Sequence, residues 1–323
     1  MTSCARPFYY MEIHLDGEVY NCCPAWIKHN SIGNIYENKF EEIWYSEKAT
    51  EIRKSIVEGC PKYCDRDICD SWMPDDKKID LEAVGYPEIV KFCHDSECNY
   101  KCVMCRDKLE ITETETLNLL NNKIDDFFLP MLKNVRVAEF SGNGDPFVSR
   151  HYRALIKAAA IEYPNLKFDI QTNGSLCDEE NIKELGLFNR IQNIDISMHS
   201  AKAKTYEVIT RTKLFNKLMK NLKYLSKLKK EGKIDNLNLA FVVQKSNYKE
   251  LVDFVKLAKK LDAKALIWNV RQVASLEMDK NFDEVAIFRE NHPKFKDFKK
   301  ILQNPIFKSS NCYLPPELQK LIG

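Results

Sequence analysis

The sequence predicts an α/β fold, a parallel sheet assembled from βα repeats behind a small cysteine-rich α+β module. Three observations carry the prediction. From about residue 85, strand-like and helix-like segments alternate six times. Ahead of that point the pieces are shorter, and six cysteines fall before residue 70. Hydrophobic residues make up 44% of the 323-residue chain, enough for the core of one large domain plus a small one. Strict alternation of strand and helix implies right-handed βαβ units and a parallel sheet. Six such units suit either a doubly wound sheet or an incomplete (β/α)6 barrel, and in both the ligand site lies at the carboxyl ends of the strands.

Residues 1–84 are expected to form the first domain. "FYYMEIHLDGEVYNCC" reads as short strands with Asp16-Gly17 as a hairpin turn, and "KFEEIWYSEKATEIRKSIVEG" as a helix. A Cys/Pro/Asp-rich stretch, "CPKYCDRDICDSWMPDD", leads out of it. So small a unit buries little apolar area alone and would benefit from a metal staple. The repeats are expected over 85–275. "YPEIVKFCH" is the first strand and a cysteine loop follows it. "ITETETLNLLNNKIDDFFLPML" reads as a helix opened by Thr112, with Glu115 completing a capping box. "NVRVAEF", "LKFDIQTNG", "IQNIDISMHS", "NLNLAFVVQ" and "KALIWNV" are the later strands. Between the fourth and fifth, leucines from Leu214 to Leu228 recur at helical spacing in a long basic helix. A further helix begins near Asn247, a candidate N-cap. Residues 276–323 lose the rhythm and are expected to pack as a helical tail.

Composition excludes several classes. Lys and Arg number 49 against 47 Asp and Glu, so nothing in the charge points to nucleic acid or an anionic membrane. No stretch approaches the roughly 18 apolar residues of a membrane span, and the N-terminus lacks the pattern of a secretory signal. A reducing cytoplasm is therefore the expected compartment. There, twelve cysteines point to metal or redox chemistry rather than disulfides.

The densest group is "FCHDSECNYKCVMCRDK", where Cys98, Cys102 and Cys105 follow the first strand. Three soft ligands at this spacing suit an iron–sulfur cluster with one iron left open to substrate. A zinc site completed by His94 is the alternative on spacing alone. Cys93, on the strand, reads as a small buried apolar residue.

The CxxxCxxC loop, with apolar Met104 before its last cysteine, resembles the signature of the radical S-adenosylmethionine (SAM) superfamily, and the resemblance extends over 87–275. "EFSGNGDPF" resembles the family's glycine-rich turn, which implies that Ser141, Gly142, Asn143, Gly144 and Asp145 receive the amino group of SAM. Asp145 departs from the glutamate many members carry, a shorter acid that still accepts hydrogen bonds. "IQTNGSL" and "IDISMHSA" look like family strand ends, placing Asn173, Ser197 and His199 at the cofactor. "TYEVITR" resembles the segment whose arginine, here Arg211, pairs with the SAM carboxylate. The resemblance implies the incomplete (β/α)6 barrel of the radical SAM type rather than a doubly wound sheet. It further implies a [4Fe–4S] cluster on Cys98, Cys102 and Cys105, and cleavage of SAM to a 5′-deoxyadenosyl radical that abstracts hydrogen from substrate.

The N-terminal cysteines, with "SIGNIYENKFEEIWYS" between them, resemble the SPASM/twitch domain, which carries auxiliary [4Fe–4S] clusters. That module normally follows the barrel; here it precedes it. One auxiliary cluster on Cys4, Cys22, Cys64 and Cys69 is expected, with Cys60 and Cys23 as alternates and a structural zinc as the other reading. The expected activity is dehydrogenation or epimerisation of a small polar substrate, a carbohydrate or nucleotide-linked sugar, with a flavodoxin or ferredoxin as reductase. Cys177 and Cys312 are the candidate thiol hydrogen donors should the reaction be an epimerisation. Peptide maturation is the alternative, weakened by the lack of a separate leader-binding domain; a non-enzymatic electron carrier is the distant one.

Overall fold

A computed structural model describes residues 4–67, 69, 79–140, 142–272 and 276–322. The chain divides into two compact units, one made of residues 1–97 and 112–169, the other of 98–111 and 170–323.

The first unit begins with the short helix α1 (Arg6–Tyr9) and a hairpin of β1 (Tyr10–His14) and β2 (Glu18–Tyr20), followed by β3 (Gly33–Asn34). Asp16-Gly17 makes the expected turn, and the Gly17 amide donates to the His14 carbonyl at 2.9 Å. The anticipated helix divides into α2 (Phe40–Trp44) and α3 (Glu47–Val57), with Ser46 capping the second through its side chain. Arg53, 1% exposed, ties this module together by donating to the carbonyls of Pro7 at 2.9 Å and Trp44 at 2.8 Å.

β4 (Ile89–Cys93) then pairs in parallel with β1, and β5 (Val137–Phe140) pairs in parallel with β4, giving the order β3-β2-β1-β4-β5. The N-terminal strands thus continue the sheet of the βα repeats. Between β4 and β5 lie α4 (Thr114–Lys123), a π-turn over Ile124–Phe128, and α5 (Leu129–Leu132), where the sequence predicts one helix. Thr112 does not cap it. Its hydroxyl donates instead to Asp95 at 2.5 Å, and Glu113 takes the N-cap position. α6 (Arg150–Glu162) follows β5, capped by Ser149.

The two faces of this sheet differ in chemistry. Phe92 stacks on Phe140 at 4.7 Å between centroids, and both meet rings from the helical layer, Phe128 at 6.0 Å from Phe92 and Tyr152 at 5.3 Å from Phe140. Alternation along a strand sends Lys91 and Cys93 to the opposite face. There register sets Glu12 beside Lys91, Lys91 beside Glu139, and His14 beside Cys93.

β6 (Lys167–Thr172) begins in the first unit and ends in the second. In the second unit follow α7 (Glu179–Glu184), β7 (Ile191–Ser197), α8 (Ala203–Thr210), α9 (Phe215–Lys230), β8 (Ile234–Val243), α10 (Leu251–Lys260) and β9 (Lys264–Asn269). β7, β8 and β9 pair in parallel, and β10 (Cys312–Tyr313) adds a last parallel strand. The tail holds the short helices α11 (Phe282–Val285), α12 (Phe295–Leu302) and α13 (Pro316–Gln319). The leucines read from the sequence are the buried face of α9, at Leu218, Leu222, Leu225 and Leu228. Asn247 does not cap α10. Its amide donates to the carbonyls of His199 and Val242, each at 2.9 Å, and so anchors the turn after β7.

The α/β class and the mostly parallel sheet stand as predicted, with six βα strands from β4 to β9. Phe140→Ala, at a residue with no exposed surface, is expected to cost about 3–5 kcal/mol and lower the urea midpoint of the cluster-loaded protein, read anaerobically by circular dichroism.

Candidate active site

The second unit holds the cysteine loop. Cys98 is fixed by an isolated bridge in which its amide donates to the Glu110 carbonyl at 3.1 Å. The Val103 amide donates to the carbonyl of Ile209 in α8 at 2.9 Å, and the hydroxyls of Tyr100 and Tyr206 lie 2.8 Å apart. Met104 packs against Val270, Phe282 and Ala286, so the tail covers one side of the loop. Burial, together with the nearby Cys105 and Cys98, pushes the Cys102 thiol up to about 12. A buried thiol raised further by two neighbouring thiols wants a cation shared with them, and a cluster iron fits that need. Donors approach the sulfurs. Arg106 lies 3.5 Å from the Cys105 Sγ, and Asn173, just past β6, lies 3.9 Å from the Cys98 Sγ and donates to Asn99 at 2.9 Å. α9 holds that turn, with Asn221 donating to the carbonyls of Gly174 at 2.8 Å and Ser175 at 3.1 Å.

Arg211 terminates α8 in the left-handed region, with φ of 56°, and its guanidinium reaches Asp107 at 3.5 Å. The break it makes separates α8 from α9, the leucine-bearing helix read from the sequence. Ser197 ends β7 half-buried beside Ala240. His199 is buried, which lowers its imidazole to about 4, and its Nδ1 accepts the Val242 amide at 3.2 Å. It is therefore neutral near pH 7 and carries its proton on Nε2. Cys177 has no exposed surface, and burial pushes the Cys312 thiol on β10 up to about 11.

The first unit holds the glycine turn. Ser141 lies outside the described residues; Gly142 to Asp145 are seen. A Cβ on Gly144 would sit 2.6 Å from the Asp95 carbonyl and 3.0 Å from that of Glu97, so only glycine lets the turn approach the loop after β4. The Asp145 amide donates to the Glu97 carbonyl at 2.9 Å, and Asn143 donates to that of Cys93 at 2.8 Å. Asp145 also accepts the Phe147 amide at 3.0 Å. Sequence reasoning passed over Asp95, whose buried carboxylate accepts from Thr112 and Ser149, each at 2.5 Å, and over Glu97, which pairs with Arg150 at 3.1 Å. Their signal was position, two acids directly after the first strand of the repeats. His94 points elsewhere, 2.8 Å from His151 and stacked on Phe128, so it is a member of the helix-side core.

In the N-terminal module Cys4 and Cys69 each act electrostatically on both Cys22 and Cys64. Burial drives Cys22 up to about 12, with Cys4 and Cys69 adding to the rise and Arg6 opposing it. Burial, Cys4 and Cys69 likewise raise Cys64 to about 11. Cys60 is exposed in a surface groove with Lys28, Lys62 and Arg66, while Cys23 lies near Lys91.

The radical SAM superfamily model matches residues 95–258, half of the chain. The chain belongs to the radical SAM superfamily. The model of the SPASM iron–sulfur cluster-binding domain matches residues 4–70. Among curated proteins, GTP 3′,8-cyclase of Synechocystis is 25% identical over 168 residues, which are 51% of this chain and 48% of that protein. An uncharacterized protein of Methanocaldococcus jannaschii is 30% identical over 134 residues, 41% of each chain. The matches thus span about half or less of these relatives. Among solved structures, SuiB of Streptococcus suis is 13% identical at a TM-score of 0.48, covering 83% of this chain and 54% of its own. The hydrogenase maturase HydG is 14% identical at a TM-score of 0.42, covering 72% and 54%.

As a radical SAM protein with a SPASM domain, the chain takes a [4Fe–4S] cluster with SAM and an auxiliary cluster. The six βα repeats, in a sheet whose terminal strands leave open edges, are the incomplete barrel of this superfamily. Among the described residues no helix is long and apolar enough to cross a membrane. Gly144→Ala, which drives a methyl group into two backbone carbonyls, is expected to weaken SAM binding by at least about tenfold, measured anaerobically by equilibrium dialysis.

Proposed function

We propose that this radical SAM enzyme removes a hydrogen atom from a small polar substrate, a sugar or nucleotide-linked sugar, and oxidises an alcohol carbon to a carbonyl. The observation that carries the reading is the charged row on the sheet face turned away from the helices. Parallel strands buried on both faces usually read as apolar throughout. Here Glu12, Lys91 and Glu139 lie side by side on three strands, and burying such groups is costly unless they meet charge or ligand.

When bound, the cluster and SAM supply a 5′-deoxyadenosyl radical and the auxiliary cluster a one-electron store. Cys98, Cys102 and Cys105 would hold the first, with the 142–145 turn and Arg211 receiving the amino and carboxylate groups of SAM. Cys4, Cys22, Cys64 and Cys69 would hold the second. The substrate falls to the charged row. Burial opposes protonation of Lys91, but Cys93, Glu12 and Glu139 outweigh it and keep the ammonium charged, a donor for hydroxyl oxygens. Burial raises the Glu139 carboxyl, Lys91 opposes this, and Asp169 adds to it. A carboxylate of raised basicity beside a hydroxyl is suited to take its proton as a carbonyl forms. A hydrogen atom, a proton and an electron leave the substrate in total, the electron to the group on the N-terminal cysteines. The relative GTP 3′,8-cyclase acts, by its name, on a nucleotide, which supports a small polar substrate. An external flavodoxin- or ferredoxin-type reductase would supply the first electron.

Dithionite-reduced, cluster-loaded protein is expected to form 5′-deoxyadenosine from SAM, and Cys102→Ala to form none above background; equal product from both would overturn the enzyme assignment. With candidate sugars in deuterated water, oxidation removes the mass of two hydrogens, whereas epimerisation adds one deuterium, and mass spectrometry separates them. Glu139→Gln should lower carbonyl formation by about 10²-fold or more while 5′-deoxyadenosine still appears.

A further inference from the structure

We propose that Glu12, His14 and Cys93 form a mononuclear site for a zinc-class divalent ion, separate from both iron–sulfur sites. A carboxylate oxygen, an imidazole nitrogen and a sulfur from these residues all lie within 4.8 Å of one another. Glu12 and Cys93 are 3% exposed, so this is no chance grouping of surface acids. The residues come from two strands far apart in sequence, brought together by the parallel register that sets His14 beside Cys93.

The donor chemistry selects the ion. One thiolate, one imidazole and one carboxylate form a borderline-soft set, suited to zinc rather than to magnesium or calcium. Tetrahedral bonds of about 2.0 Å to nitrogen and oxygen and 2.3 Å to sulfur put neighbouring ligand atoms about 3.3–3.6 Å apart. The Cys93 Sγ already lies 3.8 Å from the Glu12 Oε1, and His14 Nε2 lies 2.8 Å from the same oxygen, so small side-chain adjustments suffice. That spacing fits a single ion.

The surroundings complete the site. The Tyr10 hydroxyl donates to the Glu12 Oε2 at 2.7 Å, which orients the carboxylate and leaves Oε1 toward His14 and Cys93. A divalent ion with one thiolate and one carboxylate is neutral. Lys91, 3.7 Å from Glu12, then keeps Glu139 as its balancing charge. Gly142 leaves room for the sulfur, since a Cβ there would lie 2.8 Å from the Cys93 Sγ. His14, with 31% of its side chain exposed, gives an entry path. Three protein ligands leave a fourth position open, as in catalytic zinc sites, and an oxygen of a polar ligand would fill it.

The inference does not depend on the substrate or the reaction proposed above, and its test reads metal, not turnover. Cluster-loaded protein is equilibrated anaerobically with zinc sulfate, desalted, and analysed for zinc and iron. About one zinc per chain is expected, with a zinc K-edge absorption spectrum showing one sulfur near 2.3 Å and the remaining ligands as nitrogen or oxygen near 2.0 Å. Cys93→Ser and His14→Gln should each lower retained zinc by at least about tenfold with iron per chain unchanged. No zinc retained by the wild-type protein, retention undiminished in both variants, or a spectrum with three or four sulfurs, as zinc in a cluster-cysteine site would give, each overturns the proposal.

Discussion

The parallel pairing of β1 with β4 is the constraint on which the first unit depends. It spans five consecutive residue pairs, from Tyr10 beside Ile89 to His14 beside Cys93. A cysteine-rich module of this size has little apolar area with which to fold alone. By lending its hairpin to the sheet it gains a full row of ladder hydrogen bonds and buries Met11 and Ile13 completely. The same register determines the chemistry. A shift by one residue would turn Glu12 and His14 to the phenylalanine layer and bring Met11 and Ile13 to the charged face. The charged row and the Glu12, His14 and Cys93 group are therefore consequences of one alignment.

That alignment is held because the two faces have opposite demands. On the helix side Phe92, Phe140 and Phe128 bury their rings, each aromatic side chain contributing on the order of 2–3 kcal/mol by removal from water. On the other side charges are compensated locally. Burial works against the Glu12 carboxylate, but the hydrogen bond from His14, the Lys91 ammonium and the Tyr10 hydroxyl outweigh it and hold the carboxyl below its usual value. An ionised Glu12 is then at its most stable where those partners stay in place. The polar network and the aromatic layer thus select the same register for independent reasons.

The sequence made the βα order legible because periodicity is local. Alternating strands and the leucine row of α9 announce themselves within a dozen residues. What it did not disclose are choices made by distant partners. Thr112 looks like a helix cap until Asp95 is found within hydrogen-bond reach, and a bond to a buried carboxylate outweighs a cap on an exposed helix end. Asn247 looks like a cap until it is seen holding the His199 turn. Asp95 and Glu97 carry no motif of their own, and their importance comes from the carbonyls and side chains they place against the glycine turn. Cys93 reads as a small buried residue from its place on a strand, and it is buried; the partners that face it there, His14 and Glu12, lie some eighty residues upstream.

The cysteines divide by how their charge can be compensated. Cys98, Cys102 and Cys105 sit on a short loop, and a thiol at Cys102 pushed up to about 12 does not ionise near pH 7 without a bound cation. Loading the loop with metal therefore releases protons. Cys22 and Cys64 face the same difficulty in the N-terminal module, eased at Cys22 by the Arg6 guanidinium, which also lies 3.7 Å over the Tyr10 ring. Tyr10 in turn donates to Glu12. Arg6 and Tyr10 thus lie between Cys22 and the carboxylate that faces Cys93. The SPASM module meets the charged face of the sheet at Tyr10, whose ring lies under the Arg6 guanidinium and whose hydroxyl donates to Glu12.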